Sequence, residues 1–352
     1  MALMITVSKM ITVSIPRMAL GMVALLVSTT SWAGTWNVTT AADEFDGTCD
    51  QHCSLRDAVH AANAMPESSL IHLPANVYSL TLAGPNENGG KTGDLDITGQ
   101  LTVEGAGDSS TILDGQGKDR LFHVLPSGRL TLKGVTVRNG SAVSSIFNCG
   151  GAILNAGELS LMNTSVQNSS AASGGGICNQ GVLTIDHGNI SSNTATSGNG
   201  GGIEQAGPSA NVVNSVIKGN RALKGGGIDF SGEMISCAKT EISRNTATEQ
   251  GGGIWAGNSA KFGITDTTIA QNEAPVGNDC VGFIQAMGQY LLGDPQGCKI
   301  VLPVVVVPSL GSGAKVPDIG KPRKNESQDT MKQKMPEVKR SPVRETRNRN
   351  RQ

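Results

Sequence analysis

Short apolar stretches of two or three alternating residues recur through the middle of the chain, separated by glycine, asparagine and serine. The most regular mark is a glycine block closed by isoleucine. It appears as Gly150-Gly151-Ala152-Ile153, Gly174-Gly175-Gly176-Ile177, Gly200-Gly201-Gly202-Ile203, Gly225-Gly226-Gly227-Ile228 and Gly251-Gly252-Gly253-Ile254. The isoleucines lie 24, 26, 25 and 26 residues apart, a fixed period that marks a solenoid. Leucine-rich repeats share that range, so the content between blocks decides. An apolar residue leading to asparagine follows each block, as in Ile190 to Asn193, Ile217 to Asn220, Ile242 to Asn245 and Ile269 to Asn272; after Val166 the asparagine, Asn168, comes one place early. A third apolar stretch precedes each of these, as in Leu159 to Leu161, Leu183 to Ile185 and Val212-Val213. Three short period-2 strands per repeat, with no helical stripe, predict an all-β fold, a parallel β-helix of about 25 residues per coil. Parallel crossovers of this kind are right-handed.

Stacking explains the residue types. Glycine runs let the backbone turn through positive φ, and asparagine tolerates the left-handed region while bonding its own backbone. Coils about 4.8 Å apart would set Asn193, Asn220, Asn245 and Asn272 in an amide ladder, with the isoleucines in an apolar column. A single coil cannot bury its own apolar side, so both ends need caps. At the start, Ser54-Leu-Arg-Asp57 reads as a capping box, followed by Leu55, Ala58, Val59 and Ala62 on one helical face. This predicts a short N-terminal capping helix. Ile71 to Leu82, Asp94 to Val103 and Leu121 to Val137 read as less regular opening coils, and Ile300 to Val307 as a final strand too short to span a membrane.

Composition sharpens this picture. With 46 glycines and only 3% aromatic residues, the interior must be narrow and built of small β-branched side chains. Residues 1–33 read as an export signal: Lys9 and Arg17, then an apolar stretch Met18 to Val27, then Ser31-Trp32-Ala33 before Gly34. Export permits disulfides. Of the seven cysteines, spacing pairs Cys49 with Cys53 and Cys280 with Cys298, while the pairing of Cys149, Cys178 and Cys237 stays open. A zinc site around Cys49, His52 and Cys53 would need a second ligand pair that the neighbourhood lacks. From Gly311 to Gln352 the chain carries 12 Lys+Arg against 5 Asp+Glu, so the body before it is acidic. That excludes nucleic acid as the partner of the body. The organisation expected is a signal peptide at 1–33, a cap and first coil at 34–97, a β-helix at 98–310 and a disordered basic tail at 311–352, suited to an anionic surface or simply to solvent.

Cys53-Ser-Leu-Arg-Asp-Ala-Val-His-Ala-Ala-Asn63, with Asp46-Gly-Thr-Cys49 before it and Leu73-Pro-Ala-Asn-Val-Tyr78-Ser-Leu80 after it, resembles the CSLREA motif that opens many exported bacterial β-helix proteins. This chain has Asp57 where that motif has glutamate. The glycine-isoleucine coils are similar to repeats of polymorphic outer membrane proteins within the wider pectin-lyase-like superfamily, and Gln289-Tyr-Leu-Leu-Gly-Asp-Pro-Gln-Gly-Cys298 resembles the segment that closes such helices. The resemblance implies the fold and a secreted or cell-surface location, and leaves activity undefined.

Residues following each glycine block form an expected outward column: Leu154, Cys178, Glu204, Asp229 and Trp255. Glu204 and Asp229 on neighbouring coils would stand about 5 Å apart, a separation that suits a retaining carboxylate pair, with Trp255 placed to stack on a sugar. A solvated face accounts for the same carboxylates more simply. Asp94, Asp96, Asp114 and Asp119 cluster in the opening coils, where oxygen ligands would suit Ca2+, although Asp-Gly turns account for part of that cluster. No cofactor is expected otherwise. The sequence favours an adhesin-like or glycan-binding scaffold, with host or cell-surface protein as the other class of partner. A polysaccharide-degrading enzyme using Glu204 and Asp229 is one alternative, and a purely structural envelope protein the other.

Overall fold

The structure is a computed structural model describing residues 34–84, 87–142, 148–257 and 261–302. The expected signal peptide and basic tail lie outside the described residues, as does the end of the 98–310 segment. The described residues are a right-handed parallel β-helix within one compact unit. In each regular coil a three-residue strand such as Ile177–Asn179 leads to a five-residue strand, Val182–Asp186, then to Asn189–Ser191. Every neighbouring pair is parallel, as in Ile177 beside Ile203 and Leu183 beside Ala210.

A fourth strand was not expected. Ser170–Ala171, Thr194–Ala195, Arg221–Lys224 and Thr246–Gln250 form their own small sheet after the asparagine corner. Their inward residues Ala171, Ala195, Ala222 and Ala247 are buried, but alanine between polar neighbours gives no apolar alternation to recognise.

Leu95, Phe122, Ile153, Ile177, Ile203, Ile228, Ile254 and Cys280 stand in one inward column. Their spacing of 27, 31, 24, 26, 25, 26 and 26 residues shows why the first coils break the 25-residue rhythm. All five isoleucines are fully buried. Three further columns line the interior: Leu101, Leu130, Leu159, Leu183, Ala210, Ile235 and Phe262; Leu132, Leu161, Ile185, Val212, Cys237 and Ile264; and Val137, Val166, Ile190, Ile217, Ile242 and Ile269. Cys237 therefore acts as a small apolar filler; burial pushes its thiol up to about 12.

The amide ladder is present, for a different reason than expected. Left-handed φ belongs to the residue before each asparagine, namely Ser192, Gly219, Arg244 and Gln271, and not to the asparagine itself. Asn168 holds that corner position, aligned with Ser192, which explains its early place. The ladder asparagines instead satisfy buried backbone. Asn193 Nδ2 donates to Asn220 Oδ1 at 3.1 Å and to the Val166 carbonyl at 3.0 Å. Asn220 and Asn245 repeat this towards Asn245 and Asn272. Asp279 Oδ1 receives the last amide, from Asn272, at 2.9 Å. Replacing Asn220 with alanine would strand the Asn193 N–H and the Ile190 carbonyl. At roughly 1–3 kcal/mol per buried unsatisfied group, a loss of about 2–3 kcal/mol is expected in urea unfolding; a loss below about 0.5 kcal/mol would mean that water replaces the ladder.

The expected capping helix forms at the amino-terminal end. The helix Leu55–Asn63 starts at Ser54, whose hydroxyl accepts from the Asp57 N–H, and it buries Leu55, Ala58, Val59 and Ala62. Disulfides join Cys49 to Cys53 and Cys280 to Cys298, and a third joins Cys149 to Cys178, leaving Cys237 as the free cysteine. Among the described residues no helix is long and apolar enough to cross a membrane.

The cap holds a residue that the sequence did not single out. Arg56 is buried, its Nε 2.8 Å from Asp43 Oδ1 and its other nitrogens donating to the carbonyls of Gly90 and Gly93 at 2.9 Å each. Asp43 in turn accepts from the N–H groups of Thr81 and Leu82. Within the motif-like segment, then, the arginine ties three loops together and Asp57 accepts from Asp46 and Gly47.

Candidate functional site

The outward column exists in register and is longer than expected. Asp96 and His123 precede Leu154, Cys178, Glu204, Asp229 and Trp255, and Val281 follows. It is not a solvated face. Leu154, Cys178 and Asp229 are buried, and Glu204 and Trp255 only partly exposed. The Cys149–Cys178 disulfide lies against the column, with Glu204 Oε2 3.0 Å from Cys149 Sγ. Neither sulfur of a disulfide has a proton to give, so the contact offers the carboxylate nothing.

Glu204 and Asp229 are brought together on adjacent strands, as the sequence suggested. Burial pushes the Glu204 carboxyl up to about 7. Burial and then the charge of Glu204 push Asp229 to about 7 as well, against the pull of Lys224. Asp229 Oδ1 is buried with no hydrogen-bond partner. Access is poor: Asp229 is 2% exposed. Trp255 donates from its indole nitrogen to Gln250 at 3.2 Å, and Lys224 Nζ stands 5.6 Å from its ring centre.

The four aspartates of the opening coils separate into two groups. Asp114 binds Arg138 Nε at 2.8 Å and Asn139. Burial works against its charge, but hydrogen bonds from Gln116, Asn139 and Arg138 hold the carboxyl below the usual range. Asp94, Asp96 and Asp119 instead share one buried region with His123 and Arg120. The coil-length irregularity hid His123, which no glycine block precedes in the sequence.

A second outward row runs along another sheet face, half-exposed from Thr131 onward. On the five-residue strands the outward residues Thr102, Thr131, Ser160, Thr184, Asn211 and Ser236 stand in register. From Thr131 onward none of these side chains has a hydrogen-bond partner among the described residues. Beside the row runs a shallow groove of about 440 Å³ bordered by Ser127, Arg129, Glu158, Gln180, Val182 and Pro208. Its floor is formed by Gly128, Gly157 and Gly181, and Gly207 continues their column on the next coil. A Cβ on Gly157, Gly181 or Gly207 would collide with the carbonyl oxygen of the glycine one coil earlier, so the backbone there stays bare. This column recurs at about the coil period along the sequence.

No protein-family model and no curated relative matches the sequence. Similar solved structures are pectin methylesterases. PemA from Erwinia chrysanthemi is 10% identical, covering 78% of this chain and 94% of its own, with a TM-score of 0.44. The carrot enzyme is 12% identical, covering 78% and 89%, also at 0.44. A third was solved with a hexasaccharide, at 10% identity and 0.43. At that level the likeness assigns no role to any residue of this chain.

Proposed function

We propose that this chain is a secreted, non-catalytic scaffold that binds an extended glycan along the glycine-floored groove and its row of hydroxyls. The carrying observation is the run of unpaired polar side chains, Thr131, Ser160, Thr184, Asn211 and Ser236, at constant pitch beside a straight furrow. Sugar hydroxyls are met by side-chain hydroxyls and amides that exchange only solvent for the ligand. The groove follows the stacking axis and crosses several coils, so it suits a linear polymer better than a compact ligand. Three disulfides support an oxidising, extracellular setting.

Polysaccharide cleavage by Glu204 and Asp229 is the second reading, favoured by two carboxyls on adjacent strands that are both raised towards neutral pH. Burial of Asp229 counts against it. A polysaccharide panel tests both with the purified protein and with the double variant Gln180→Ala/Thr184→Val. Binding without cleavage, weakened about tenfold or more by the double variant, is the expected result. Binding unaltered by those changes, or hydrolysis abolished by Glu204→Gln, would overturn it.

A further inference from the structure

Buried charge in the opening coils is unbalanced. Asp94, Asp96 and Asp119 are 5%, 1% and 7% exposed. Arg120 Nε meets Asp94 Oδ2 at 3.0 Å, whereas the other buried guanidinium nearby, Arg56, is taken by Asp43. Three carboxylates against one guanidinium leave two negative charges, which an interior neutralises either with protons or with a cation.

The polar accounting is unbalanced in the same place. Asp96 accepts from the Gly90 N–H through Oδ2, while its Oδ1 is buried without a hydrogen-bond donor. Asp119 accepts from the Arg120 N–H through Oδ1, and its Oδ2 is likewise buried without one. Asp96 Oδ1 instead lies 3.3 Å from His123 Nδ1. Two atoms bound to one cation at about 2.1 Å stand roughly 3.0–3.5 Å apart, so this spacing is that of neighbouring ligands. Asp94, Asp96 and His123 each bring one such atom within 4.8 Å of the others.

We propose that Asp94, Asp96 and His123 bind one divalent transition cation, with zinc as the best fit. Adding two positive charges balances the region and gives Asp96 Oδ1 a partner. The imidazole selects zinc and its first-row neighbours over calcium, whose sites are built from oxygen alone. Asp96 and His123 are held opposite one another by strand register, so the backbone presets the site. Arg120 on Asp94 and the Gly90 N–H on Asp96 orient two of the ligands. A groove bordered by His60, Asn63, Asn88, Gly89 and Asp96 provides an entry path.

The test uses untagged, oxidised full-length protein, stripped with a chelator and titrated calorimetrically with zinc chloride, and with calcium chloride in parallel. One equivalent of zinc is expected, with a higher melting midpoint in its presence. Cobalt(II) in place of zinc should give visible ligand-field absorption. Asp96→Asn and His123→Asn should each weaken zinc by more than the roughly 10- to 100-fold that disturbing an outer partner costs. Melting curves of both variants without metal report whether they fold. Absence of zinc uptake by the unaltered protein would overturn the proposal even if neither variant folds. So would a preference for calcium, or uptake unaffected by either substitution.

Discussion

Substituting Arg56 with alanine should destabilise the amino-terminal end by about 3–5 kcal/mol, the range for removing one partner of a buried ion pair. Asp43 would be left with 2% of its side chain exposed and no counter-charge. The carbonyls of Gly90 and Gly93 would also lose their donors. Arg56→Lys should recover only part of the loss, because an ammonium cannot reach Asp43 and the loop carbonyls as a planar fork does. Urea unfolding measures the size, and hydrogen exchange at residues 90–94 its location. A loss below about 1 kcal/mol for the alanine variant would show that the pair is dispensable.

Glu204 and Asp229 should make stability fall as pH rises from about 4 to about 7, adding to the slope from Asp94, which burial pushes up to about 8. Both carboxyls are held near 7 in the folded chain and near their ordinary values, 4.5 and 3.8, when unfolded. The folded state thus keeps protons that the unfolded state has released, and folding weakens with rising pH until both are ionised in both states. At about 1.4 kcal/mol per pKa unit the pair is worth a few kcal/mol in all. Glu204→Gln/Asp229→Asn mimics the protonated pair permanently. It should flatten the profile between pH 4 and 7 and raise stability at pH 8 by about 2 kcal/mol or more. An unchanged slope in the double variant would remove these residues as its cause.

What was legible followed from repetition. The isoleucine columns and the order of the asparagine ladder could be read because one coil's environment recurs in the next. The end disulfides were readable from proximity in sequence. Where the period slips, reading fails: the 27- and 31-residue steps around Phe122 hid the pairing of His123 with Asp96. Small residues hid the fourth strand. Arg56 was invisible for another reason, since an arginine on a short amphipathic helix ordinarily faces solvent. A second ladder also went unread: Asn155 donates to Asn179 and Asn179 to Gln205, each two places after an isoleucine of the glycine blocks. As for the carboxylate pair, its adjacency was readable and its burial was not, because the covering disulfide involves Cys149, whose partner sequence alone left open.

The change from asparagine to Asp279 gives the amide chain a direction and a terminus. Each asparagine passes a proton donor onward to the next rung, whereas an ionised aspartate only receives. Both oxygens of Asp279 are occupied, by Asn272 and by the Asp294 N–H, so no rung can be appended beyond it. One side chain thereby ends the amide chain, while strands Tyr290–Leu292 and Cys298–Val301 still stack on the coils before them, and whole repeats inserted upstream of Asp279 should lengthen the ladder without altering how it ends.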